Sequence, residues 1–212
     1  MQSVYIIGDS ISVHYAPFLK KYLKGFLECL HREEEAEAAL RNLDLPAGAN
    51  AGDSSRVLEF LQAHRQHGGI DTDFLLLNCG LHDIRTDPVT GRKKTPVQVY
   101  VANLRAIIDT VVSMGRPRLI WMRTTPCDEA VHNKVRQPAL EFYRYAADVL
   151  AWNEAADAVM SERGIPSIDL HTFTANLATG AELYCDHVHF PEHIREKQAA
   201  FIAGWLSRHA VA

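Results

Sequence analysis

No stretch of this 212-residue chain is apolar for long enough to cross a bilayer. No cysteine pair has C-x-x-C spacing. Cys29, Cys79, Cys127 and Cys185 are scattered, which points to buried thiols rather than a disulfide framework or a zinc site. There is no dense basic run, and the formal net charge is −4, so a nucleic-acid partner is not expected. The acidic run Glu33-Glu34-Glu35 reads as a solvated helix face. A P-loop and a G-x-G-x-x-G fingerprint are absent, which removes the common nucleotide-binding readings, and so is the G-x-S-x-G elbow. No basic segment followed by an apolar run opens the chain, because a strand pattern begins at once. A cytosolic protein is expected, or one whose export signal has been removed. No internal repeat, low-complexity segment or linker interrupts residues 1–212, so one domain with a full core is expected.

What is present starts with Val4-Tyr5-Ile6-Ile7-Gly8-Asp9-Ser10-Ile11. Four apolar residues running into a glycine and a polar pair read as a buried parallel strand that ends in a tight turn. Apolar residues then recur at helical spacing from Tyr15 to Leu30. Ser10 therefore stands between a strand end and a helix start. There it has two readings, a helix cap, or an accessible hydroxyl beside backbone N–H groups able to stabilise an oxyanion.

Farther on, a short edge strand is expected around Leu43–Leu45 and a helix from about Ser55 to Gln66. Phe74–Asn78 and Arg118–Met122 read as buried strands, separated by a helix over Val97–Met114 with Pro96 at its start. Residues Cys127–Gln137 read as a polar loop and Ala139–Arg163 as a helix. Ser167–Leu170 is expected to be a short strand, residues His171–Tyr184 irregular, and Pro191–His209 an amphipathic helix. Strands alternating with helices predict an α/β fold with a parallel sheet between two helical layers. In such sheets sites form beyond the carboxyl ends of the strands, where strand order reverses. Ser10, the Gly80–Asp83 turn and Arg123 all follow strands directly.

The segment Cys185-Asp186-His187-Val188-His189-Phe190-Pro191 supplies an acid and a base. A carboxylate can bond to an imidazole three positions on. Asp186 could thus orient His189 while His189 takes a proton from Ser10. His187 is the competing base, and His187 with His189 could also be read as a metal-binding H-x-H pair, although no further ligand cluster accompanies it.

Together these blocks resemble the SGNH (GDSL-type) hydrolases, a family of flavodoxin-like α/β/α esterases and lipases. Gly8-Asp9-Ser10 matches the nucleophile turn. Asn50-Ala51-Gly52-Asp53-Ser54 resembles the second block and puts its glycine at Gly52. Asp186-His187-Val188-His189 matches the D-x-x-H block. The third block departs from the pattern. It reads Gly80-Leu81-His82-Asp83, with histidine where the family has asparagine. The resemblance implies a Ser10–His189–Asp186 triad and an oxyanion hole made by the N–H groups of Ser10 and Gly52. His82 would be a third donor, or would contact substrate or pack. It implies hydrolysis of carboxylic esters with no cofactor and no metal. The charged loops after His82 and Pro126 favour small or carbohydrate acyl esters. Lysophospholipid or thioester hydrolysis, and a binding module that has lost turnover, are the alternatives. Asp9 and Asp83 are expected to fix their turns and Asn78 to be structural. Arg123 is expected either to bind an anionic substrate group or to pair with a carboxylate such as Asp83 or Asp186.

Overall fold

The structure, a computed structural model, describes residues 1–32, 35–134 and 142–209. The first apolar run forms β1 (Ser3–Ile7), in which Val4, Ile6 and Ile7 are buried. It is followed by α1 (Ser10–Leu23), β2 (Glu28–Leu30), α2 (Ala36–Arg41), α3 (Ser54–Gln66) and β3 (Phe74–Leu77). Then come α4 (Val97–Ser113), β4 (Arg118–Met122), α5 (Glu129–Lys134), α6 (Ala146–Glu162), β5 (Ser167–Ile168), α7 (Leu170–Ala175) and α8 (Glu192–His209).

The five strands form one parallel sheet in the order β2-β1-β3-β4-β5. Every residue of the central strand β3 is buried, as a strand covered on both faces requires. Helix α1 packs with α8 on one side, and α3, α4 and α6 pack in sequence on the other. The result is a three-layer α/β/α sandwich with flavodoxin-like strand order. The chain leaves β1 toward β2 at one edge and later lays β3 against β1's other side. This reversal opens a crevice over the carboxyl ends of β1 and β3.

The short elements depart from the sequence reading. The edge strand is Glu28–Leu30, paired with β1 from Ser3↔Glu28 to Tyr5↔Leu30, and not Leu43–Leu45. After α1 the N–H groups of Phe26 and Leu27 both return to the Leu23 carbonyl, which turns the chain straight back to the sheet edge. Residues 43–45 instead form a turn whose Leu43 carbonyl accepts from Asn50 Nδ2 at 3.2 Å. The expected polar loop at 127–137 contains α5, with 135–137 outside the described residues. The helix expected from Ala139 begins only at Ala146. Residues 139–141 lie outside the described residues, and Tyr143 exchanges two backbone hydrogen bonds with Thr86, both 2.8 Å. β5 stops at Ile168 because Asp169 caps α7 by accepting from the Thr172 N–H at 3.0 Å, so 171–175 is helical rather than irregular. Of the acidic run, Glu33 and Glu34 lie outside the described residues, and Glu35 pairs with Arg32. None of the four cysteines is disulfide-bonded. Three are buried as expected, and Cys185 is exposed. Among the described residues no helix is long and apolar enough to cross a membrane.

Candidate active site

The turn after β1 leaves almost no room. A Cβ on Gly8 would lie 2.8 Å from the Ser12 Cβ, so only glycine lets the strand end sit this close to α1. Asp9, not Ser10, caps the helix: its Oδ1 accepts from the Ile11 N–H at 3.0 Å. Ser10 is then the first helical residue. Its N–H has no intrahelical acceptor, and its hydroxyl is released from capping. Burial is the largest influence on the Asp9 carboxyl and pushes it above the usual range.

The hydroxyl of Ser10 meets the His189 imidazole, Oγ to Nε2 at 2.8 Å, across 179 positions of sequence. At the far side of that ring Nδ1 lies 2.6 Å from Asp186 Oδ2. An ionised carboxylate only accepts, so Nδ1 carries the proton, and Nε2 faces Ser10 with its lone pair. Asp186 Oδ1 accepts from the N–H groups of Val188 and His189, both at 2.8 Å. The acid is thereby held by the same turn that carries the base. Burial alone would raise Asp186, but the His189 hydrogen bond, the His189 charge and the two N–H donors outweigh it. They hold the carboxyl far below its ordinary range. Ser10 and His189 are 3% and 1% exposed, so the Ser10–His189 bond lies in a nearly dry environment.

The other two blocks converge on the same crevice. Gly8 and Asn50 form a parallel bridge, with Ala51 N–H donating to the Gly8 carbonyl at 2.9 Å, which brings the Gly52 turn beside Ser10. Gly52 has φ +76°, a left-handed conformation suited to glycine. Its N–H already donates to Asn50 Oδ1 at 3.1 Å. The Gly80–Asp83 turn is locked to the Gly52 side by Asp83, whose carboxyl accepts from the Ser54 N–H at 3.0 and 3.1 Å and from the Ser54 hydroxyl at 2.5 Å. Burial dominates at Asp83 and raises it to about 7 despite those donors. His82 is sealed in this turn, and its Nδ1 has no hydrogen-bond partner among the described residues. Burial, then the charges of Arg85, Arg144 and Lys94, keep its ring neutral well below the usual histidine range. Asn78 stands just past β3 and donates to the Met122 carbonyl at 2.7 Å, tying the ends of two strands together.

His187 goes elsewhere. Its Nε2 lies 3.4 Å from Asp44 Oδ1, while the distance from its Nδ1 to Asp186 is 3.9 Å. The two histidines thus serve different acids, and among the described residues no group of three potential ligands stands together as a metal site. Arg123 pairs with carboxylates, as its structural alternative expected, but with neither of the two acids named as examples. It pairs with Asp157 at 3.1 Å and Asp169 at 2.9 Å, because β4 ends facing α6 and the α7 cap, not the Asp83 turn or Asp186. Sequence reasoning missed three neighbours of the site. His14, one helical turn after Ser10, stacks edge-on against His189 with ring centres 5.4 Å apart. Burial, then Arg195 and His189, push it down to about 3. Its i+4 spacing from Ser10 was a usable signal. Arg144 and Asp44 carried none. Arg144, 2% exposed, donates Nε to the Leu81 carbonyl at 2.9 Å, 63 positions away.

No family model and no curated protein sequence matches the chain. Solved structures do. A lipase/acylhydrolase from Enterococcus faecalis is 16% identical, covering 98% of this chain and 96% of its own, with a TM-score of 0.63. The fold is that of the SGNH (GDSL-type) hydrolases. An aryl esterase from M. smegmatis, 12% identical over 98% of this chain and 99% of its own, superposes with a TM-score of 0.67. A carbohydrate acetylesterase from Sinorhizobium meliloti, 12% identical over 98% and 99%, gives 0.65. At these identities the likeness concerns the SGNH fold alone.

Proposed function

We propose that the chain is a serine esterase of the SGNH family that hydrolyses small or carbohydrate acyl esters. The observation that carries this reading is the unbroken line Ser10–His189–Asp186, with bonds of 2.8 and 2.6 Å, at the switch point of the sheet. Ser10 Oγ attacks the ester carbonyl as His189 Nε2 takes its proton, and Asp186 stabilises the imidazolium. The carbonyl oxygen becomes an oxyanion beside the Ser10 N–H and the His82 ring. The Gly52 N–H joins by shifting from, or sharing with, its bond to Asn50. Collapse breaks the bond to the alcohol oxygen, which receives the proton from His189. Water, deprotonated by His189, then releases the acid from acyl-Ser10. Arg123 has no part in this sequence, since two carboxylates already occupy it.

Acylated carbohydrates are favoured by the polar, charged loop after His82 and by the carbohydrate acetylesterase among the structures that share the fold. A fluorophosphonate should label Ser10, and an activated acetate ester should give a burst of product. Folded protein that shows neither would replace this reading with that of a binding module on the same fold.

A further inference from the structure

The hairpin after the Gly80–Asp83 turn borders an open cavity of about 580 Å³ lined by Arg85, Arg92, Lys93, Lys94 and Phe142, with Asp87 the one acid in its wall among the described residues. Thr86 bridges Lys93, the Asp87 N–H donates to the Arg92 carbonyl at 2.9 Å, and the Lys94 N–H donates to the Arg85 carbonyl at 2.7 Å. A chain of net charge −4 has thus collected four cations around one space.

Their pairing is uneven. Lys93 is met by Asp148, and Lys94 by Asp53 at 2.8 Å. Asp87 spends its carboxylate on the N–H groups of Val89 and Thr90, at 2.9 and 2.7 Å. Among the described residues neither Arg85 nor Arg92 has a carboxylate partner. Arg85 gives Nη2 to the Asp44 carbonyl, and its Nε is sealed from solvent with no acceptor among the described residues. The buried Arg144 shares the ring of Phe142 with Arg85, the guanidinium carbons lying 4.9 and 4.2 Å from its centre. Burial, then repulsion from Arg144, draw Arg85 down to about 10. A half-buried guanidinium whose shielded Nε has no acceptor among the described residues is costly, and a bound anion nearby relieves that cost.

The wall of the cavity is tied to the turns that carry Gly52 and His82. Arg85 lies three residues after His82, the Lys94–Asp53 pair lies beside Gly52, and Arg144 holds the carbonyl of Leu81. We propose that this cavity binds a fixed negative charge on the alcohol side of the ester, so that the preferred substrate is an acylated acidic saccharide. This rests on the esterase reading of the same site. The guanidinium fork of Arg92, which makes no ion pair among the described residues, is the group most open to a carboxylate or sulfate.

Three O-acetylated substrates test it: a neutral xylo-oligosaccharide, an oligogalacturonide and a sulfated oligosaccharide, each with wild type, Arg92→Gln and Arg92→Glu. For wild type at low salt, kcat/KM for a charged substrate should exceed that for the neutral one by about tenfold or more, and salt should narrow the gap. The galacturonide and sulfated arms identify which anion fits. Both variants should lose the preference through KM and hydrolyse the neutral substrate as wild type does. Equal kcat/KM for neutral and charged substrates overturns the proposal and leaves the esterase reading standing. Calorimetry with the deacetylated oligogalacturonide and sulfated oligosaccharide reads the cavity without turnover. Binding that weakens in Arg92→Glu supports the cavity even if no ester is cleaved, whereas no binding of either, or equal binding by both proteins, overturns it.

Discussion

Two short segments each set a histidine near an aspartate, and they come to opposite electrical states. In Asp186–His189 the acid is fed by two backbone N–H groups and the imidazole it serves, so it stays ionised, and the ring has a place to hold a proton. In Gly80–Asp83 the histidine and aspartate do not face each other. Asp83 turns under α3 to Ser54 and is raised to about 7, and His82 is buried beside cations that keep it neutral. The residue types are the same, and the difference lies in what surrounds them. The first segment suits charge that appears and disappears during a proton transfer. The second suits a donor that must keep its form while charge develops on something else.

The largest test of that contrast is made on the first segment. His189→Ala should lower kcat by roughly 10⁴ or more. Asp186→Asn should come close to that loss, since an amide cannot hold the tautomer or the imidazolium. His187→Ala should cost far less, because its ring is directed to Asp44. Steady-state kinetics of the three variants check this, and equal losses at His187 and His189 would reverse the assignment of the base. Asp186 remains ionised throughout the working range, so it supplies no limb of the pH–rate profile.

The fold and this first segment were the legible parts of the sequence, for a shared reason. β1, β3 and β4 are largely apolar runs whose pattern can be read without knowing their remote partners, and the Asp186–His189 bond closes within one turn. The illegible parts depend on distant partners. The three-residue β2 has one buried residue and exists by pairing with β1. Arg123 was read against the acids of neighbouring motifs and found Asp157 and Asp169. Arg144 and Asp44, which bound the site from behind, are polar residues in loops whose positions are fixed by contacts 63 and 143 positions away.

An intermediate effect is expected at His82. If the neutral ring donates only to the developing oxyanion, His82→Ala should lower kcat by roughly 10² to 10³ with little change in KM. His82→Asn supplies the asparagine donor of the SGNH hydrolases that the chain resembles and should recover part of the loss. The acid limb of the pH–rate profile should be the same in His82→Asn and wild type, because a ring kept neutral by burial does not titrate in that range. A higher KM with kcat spared would make His82 a ground-state contact, and a kcat in His82→Ala equal to wild type with chemistry rate-limiting would remove it from the oxyanion hole.

The smallest kinetic effect, and a distinct thermodynamic one, is expected at Asp83. Asparagine keeps a carbonyl oxygen to accept from the Ser54 N–H, so the Gly52 and His82 turns should stay locked and kcat should change only a few-fold. Stability should respond differently to pH. The folded-state carboxyl is raised to about 7 from an ordinary value of 3.8, so between those values the folded chain keeps a proton that the unfolded chain releases. Asp83 therefore adds no penalty below the unfolded value, and it erodes stability as the pH climbs through that window. Above about pH 7 the penalty is complete. An amide at this position carries no such slope, so Asp83→Asn should be progressively more stable relative to wild type from about pH 4 to 7, by on the order of a few kcal/mol at the top, and the gain should then level off. Urea unfolding of both proteins at a series of pH values measures this directly. Parallel stability profiles across the window would mean that the Ser54 donors keep Asp83 ionised, and that the two segments are electrically more alike than the contrast drawn between them.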